Sequence, residues 1–218
     1  TDTVDHVGMV RDYILRYDPD LVLLGFYIND VECGPLPRRD STTSAFQDAL
    51  LAFVRPSSGW WKDWQGWLRS RLALADVVFE RLHRQLDGEV SLLVHTAAYE
   101  RDSIGWKRCK KSLLEIRDLL ALRGVGFGVV LLPEMHRVRQ GELASHAAYA
   151  IVQAFCEAQR IPVLDPEPLF ADRDPLELVV HPLDIHWNGE AFAILAPAMV
   201  PFLAEHGWLA PRGGPAPT

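Results

Sequence analysis

Leu21-Val22-Leu23-Leu24-Gly25-Phe26-Tyr27-Ile28-Asn29-Asp30-Val31-Glu32 follows a turn signal, Asp18-Pro19-Asp20, and stops on polar residues after an unbroken apolar run. A short apolar run bounded by turn residues predicts a buried strand over 20–26. Upstream, Val4, Val7, Val10, Ile14 and Leu15 recur at helical spacing, with Asp2 or Thr3 as N-cap. This predicts a helix that ends near Tyr17. A helix leading into a Val- and Leu-rich strand is the order of a parallel α/β sheet. Open sheets of that kind build their sites beyond the carboxyl ends of the strands, where Asn29 and Asp30 stand.

Working outward, residues 32–43 read as loop, broken by Gly34, Pro35 and Pro37. A short helix is predicted over Ser44 to Phe53, and a long helical stretch over about 61–86 after the breaker Pro56-Ser57-Ser58-Gly59. Together these make a helical insertion at about 41–100. Residues 89–104 fit either a short strand or a helix edge. Leu113, Ile116, Leu119 and Leu120 predict a helix over about 105–123, closed by Gly124. Val125 to Leu132 is a second buried strand, Ala144 to Arg160 a helix, and Ile161 to Asp165 a short strand at an edge, given its proline. A last helix is expected over about 189–205, with Asn188 as N-cap.

Composition narrows the class. The chain has 218 residues, 49% of them hydrophobic and 23% charged, as in an ordinary globular domain. Its formal net charge of −7 argues against a nucleic-acid partner, which calls for a basic stripe. Cys33, Cys109 and Cys156 are odd in number and far apart, so neither a disulfide framework nor a zinc site is expected. No apolar run approaches the roughly 18 residues of a membrane span, and no signal-peptide pattern is visible.

Near the other end of the chain lies Asp184-Ile185-His186-Trp187-Asn188. In extended backbone, residues i and i+2 point to one side. Asp184 can then hold the Nδ1–H of His186 while Nε2 faces a nucleophile. The plainer reading is that His186 packs beside Trp187 and Asp184 accepts loop N–H groups. Asn29 can donate to a developing oxyanion, or simply close an Asx-turn. Asp30 reads as a brace for its loop and Gly25 as a point of close packing. His181 completes a His-x2-Asp-x-His pattern with Asp184 and His186, a set of natural metal ligands at a spacing unlike that of a zinc-binding helix. Trp60, Trp61, Trp64 and Trp67 suit the packing face of an inserted helix, with an acyl-binding lid or a membrane contact as the alternatives.

These two segments resemble the SGNH (GDSL-like) hydrolase superfamily. Residues 18–30 look like the block of that family whose Asn is an oxyanion donor. Residues 184–188 look like the block that supplies the Asp and His of its triad, here in the shorter Asp-x-His-Trp spacing. The resemblance implies a three-layer α/β/α flavodoxin-like sandwich with a parallel sheet, forming a single domain over 1–218. It implies a serine esterase or acyl hydrolase that works through an acyl-enzyme, with no metal and no cofactor. His186, Asp184 and Asn29 are then catalytic, and Gly25, Tyr27 and Trp187 are expected around the substrate. Esters of small metabolites, acylated sugars or lipids are the implied substrates. An acyltransferase on the same scaffold and a binding module that has lost its nucleophile are the alternatives.

The family's Gly-Asp-Ser block and the block that follows it have no counterpart here. Arg39-Asp40-Ser41 follows a Pro-rich loop rather than a strand and lacks the glycine. The nucleophilic serine is therefore expected outside these residues, along with two N-terminal strands. An upstream segment or a second chain would complete the sheet, and residues 1–218 are expected not to fold stably alone, because the strand at 21–26 would otherwise present an apolar edge.

Overall fold

In a computed structural model, residues 3–31, 59–71, 98–99, 103–135, 141–181 and 184–209 are described. The first helix, α1, spans Thr3–Asp12, and a 3-10 turn over Ile14–Tyr17 completes the helical stretch that the sequence predicts. Asp18 then adopts φ 48°, in the left-handed region that Asp tolerates better than most residues. The chain turns there into β1, Leu21–Phe26.

β1 pairs in parallel with β2, Gly126–Leu131, with Leu21 opposite Gly126 and Phe26 opposite Leu131. β2 pairs in parallel with β3, which is only Val163–Leu164. The order β1-β2-β3 makes β2 the central strand, and all but its first residue are buried. β1 is different: Leu21 to Leu24 are only half-buried. Among the described residues no strand borders its other edge.

Helix α2 spans Trp60–Arg71, and α3 spans Ile104–Ala121. Ser103 caps α3, its side chain accepting from the Trp106 N–H, and Gly124 at φ 65° closes it as the sequence predicts. Helix α4 covers His146–Ala158, and α5 covers Gly189–Glu205. The predicted helix over Ser44 to Phe53, residues 72–97, Cys33 and Arg39-Asp40-Ser41 lie outside the described residues.

Strand alternation sorts the core into two parts. Phe127, Val129 and Leu131 of β2, with Val22, Leu24 and Phe26 of β1, pack with α1, α3 and α4. Val130, between them on β2, packs instead with Ala191 and Leu195 of α5 and with Phe170 and Trp187. Gly126 and Gly128 lie at the same alternation as Val130, and there the Trp208 indole rests directly on the strand. A Cβ at Gly128 would stand 2.9 Å from that ring.

One element was not anticipated. Val179–His181 (β4) and Asp184–Trp187 (β5) form an antiparallel pair, with Val179 opposite Trp187 and His181 opposite Asp184. The segment that reads as a catalytic motif is therefore also half of a hairpin.

Candidate functional site

Asn29 and Asp30 lie just beyond the carboxyl end of β1. Beyond Phe26 the chain enters a 3-10 turn, Ile28–Asp30. The buried Asp30 carboxylate accepts from the Tyr27 N–H at 2.9 Å, which makes it the brace that the sequence suggests. Thr3 Oγ1 donates to the Asp30 carbonyl at 2.7 Å, and Tyr99 Oη donates to the Ile28 carbonyl at 2.9 Å. With the backbone held from both sides, the exposed Asn29 projects from a fixed turn. Gly25 is exposed, and a Cβ there would meet only the flexible Leu132 side chain at 3.0 Å.

Two consecutive residues after β2 join the β1 end to the β5 end. The Leu132 N–H donates to the Phe26 carbonyl at 2.8 Å. Trp187 Nε1–H donates to the Pro133 carbonyl at 2.9 Å. Tyr149 of α4 adds a clamp: its hydroxyl donates to the Leu132 carbonyl at 2.6 Å. Burial pushes that phenol well above its usual range, so it remains a donor.

Trp187 is buried and fully engaged in packing, with Phe170 edge-on at 5.1 Å and Phe192 at 5.5 Å. His186 beside it is exposed. The backbone of β5 is extended at Asp184 and His186, as their i, i+2 pairing needs. Asn188 then starts α5. Its Oδ1 accepts from the Glu190 and Ala191 N–H groups, and its Nδ2 donates to the Glu177 and Val179 carbonyls. The cap and the hairpin are thereby one unit, which fixes where His186 stands.

Sequence reading missed a second constellation. His146, the first residue of α4, lies with Nδ1 3.1 Å from both carboxylate oxygens of Glu167. Glu167 sits in the 3-10 turn Glu167–Phe170 just after β3, and its own N–H donates to the Asp165 carboxylate at 2.9 Å. The pair lines a cavity of about 240 Å³ with Glu142, Leu143, Asp165, Pro168 and Phe170. The His146 side chain is 53% exposed and that of Glu167 only 16%. The Glu167 carboxylate raises the His146 pKa above its ordinary value, and burial raises that of Glu167 despite the imidazole beside it. The two residues are 21 apart, so no spacing rule joins them; the only local signal is a His at a helix start, which is weak.

Four other Cys and Ser side chains among the described residues are unsuited as nucleophiles. Cys156 is buried and its thiol pKa is pushed up to about 12, away from the reactive thiolate. Cys109 is buried against Thr3. Ser145 is fully buried and accepts from the Glu134 N–H, and Ser103 is a helix cap. Among the described residues no group of three or more His, Cys, Asp or Glu side chains could hold a metal ion. No described helix is long and apolar enough to cross a membrane.

Comparison with known proteins yields no match to a family model, a curated protein or a solved structure.

Proposed function

We propose that this protein is an ester hydrolase of SGNH type, built as a three-layer α/β/α flavodoxin-like domain. One observation carries the reading. The β1 end that leads to Asn29 and the β5 end that carries His186 are tied to adjacent residues, Leu132 and Pro133, at the carboxyl end of the central strand. That is where an open α/β sheet presents a ligand to residues from several strands.

In this reading a serine hydroxyl attacks the ester carbonyl while His186 takes its proton. Asp184 holds the imidazole in the tautomer that can do so, and Asn29 donates to the oxyanion. Collapse expels the alcohol, protonated by His186, and water then releases the acyl group by the same route. No described serine occupies a strand-to-helix elbow, so the attacking hydroxyl belongs to residues outside that set. Small-molecule, acylated-sugar or lipid esters fit this chemistry. An alcohol that replaces water in the second step would make the same site an acyltransferase.

The test is a fluorophosphonate probe applied to the natural full-length polypeptide. Labelling of a serine that is lost in His186→Ala supports the reading. Absent labelling, or labelling indifferent to His186, rejects it in favour of a binding module.

A further inference from the structure

We propose that the cavity between the start of α4 and the Glu167–Phe170 turn is a second hydrolytic centre, in which the His146–Glu167 dyad activates water against small, uncharged esters. The inference goes beyond the acyl-enzyme reading and uses none of its residues.

The geometry supplies three of the parts that general-base catalysis needs. The first is an oriented base. Both Glu167 oxygens lie 3.1 Å from His146 Nδ1, so that nitrogen carries the proton and Nε2 is left as the acceptor. The carboxylate that orients it is well buried, and the Glu167 backbone is anchored by its N–H donating to the Asp165 carboxylate. A buried orienter and a half-exposed imidazole form the arrangement in which one group fixes a tautomer and the other meets solvent.

The second part is a space. The cavity holds about 240 Å³ and has apolar walls from Leu143, Pro168 and Phe170. That is below the roughly 300–1,000 Å³ of pockets for drug-sized ligands, so it suits a short acyl group and a water. The third part is position. Asp165 directly follows β3 and His146 opens the helix that follows β2, so the cavity stands at the carboxyl ends of two parallel strands. Phe170, one of its walls, packs on Trp187 and so keeps the cavity registered to the sheet.

Charge sets the substrate class. Among the described residues, the ionisable groups that line the cavity are His146, Glu142, Asp165 and Glu167, with no Lys or Arg. Three carboxylates repel phosphate esters and acyl groups that carry a carboxylate, and leave neutral esters as the acceptable class. The raised His146 pKa agrees with this acidic setting.

The reaction balances without a protein nucleophile. Water oxygen bonds to the ester carbonyl carbon as His146 Nε2 takes one of its protons. The tetrahedral adduct then breaks its bond to the alkoxy oxygen, which receives that proton from the imidazolium. The products are one acid and one alcohol, and the dyad is restored.

The experiment treats the natural full-length protein exhaustively with a fluorophosphonate, then measures the p-nitrophenyl acetate hydrolysis that remains. Labelling reports on the serine site and residual turnover on the dyad, so either can fail alone. The expected result is burst-free turnover that falls about 100-fold in His146→Gln, the scale of general-base catalysis. Glu167→Gln moves the rising limb of the pH–rate profile to lower pH, because the imidazole loses the carboxylate that raises its pKa. A p-nitrophenyl ester of a dicarboxylic half-acid turns over more slowly than the acetate. No turnover above buffer, or equal turnover in His146→Gln protein with an unchanged circular dichroism spectrum, overturns the proposal. An unshifted profile in Glu167→Gln overturns it as well.

Discussion

At the scale of single residues, Asn188 and the His146–Glu167 pair behave very differently as sequence signals. Asn188 was legible, because an Asn before an apolar helical run is a local pattern with a local cause. It makes four side-chain hydrogen bonds, two to the helix and two to the hairpin strand and its approach. Asn188→Ala removes all four, and the expected cost is about 2 kcal/mol, the upper end of the capping range. Urea denaturation measures it, and Asn188→Asp, which keeps the acceptor but not the donors, should lie between the two. His146 and Glu167 were not legible, because their contact depends on how the loops after β2 and β3 meet.

That pair also predicts a pH dependence. Both folded-state pKa values stand above the ordinary values of 6.5 for His and 4.5 for Glu. The folded protein therefore binds these protons more tightly than the unfolded chain does. The stability they contribute is complete in acid, below the ordinary Glu value. It is lost as pH rises, first through the Glu167 range and then through the His146 range. Solvent screening of the half-exposed imidazole keeps the His step small. Thermal melts from pH 4 to 8 should show a shallower decline in Glu167→Gln, which removes the Glu step and the carboxylate that raises His146, than in the parent; an identical slope would remove the pair as its source.

At the scale of elements, β2 shows what periodicity can and cannot say. Val125 to Leu132 reads as a buried strand from its apolar run, and the observed strand, Gly126–Leu131, sits within those bounds. Its two glycines look like weaknesses in a strand, since they offer no side chain to pack. The reason for them stands some eighty residues away, where Trp208 lies against both. Gly128→Ala would force a methyl within 2.9 Å of the indole and 3.1 Å of Leu23. Overpacking of this kind costs about 1–3 kcal/mol. In a Trp208→Ala background the same change should cost clearly less, because the closest contact is gone, and a double-mutant cycle reads that coupling directly. The β4–β5 hairpin escaped sequence reading for a related reason. Asp184 to Trp187 is too short and too polar to announce a strand, and it becomes one through Val179 and His181.

At the scale of the whole molecule, the asymmetry of the sheet has the largest consequence. β2 is lined on both edges and buried on both faces, whereas β1, the more apolar of the two in sequence, is half-buried. Leu21-Val22-Leu23-Leu24 has the composition of an interior strand, with no proline and no lysine to discourage pairing. With no strand beside it among the described residues, an apolar edge of this kind attracts another strand, because its outer N–H and C=O groups otherwise rely on water and its side chains stay partly wet. Residues 1–218 on their own should therefore self-associate through β1, with light scattering that rises with concentration and a gain in strand signal by circular dichroism. Leu21→Lys places a charge at the start of that edge, where a long side chain can still lay its methylenes along the sheet and carry its ammonium to solvent. It should lower the association at little cost to the fold. A parent chain that sediments as a monomer and unfolds in one cooperative transition would show that the edge is already satisfied within these residues.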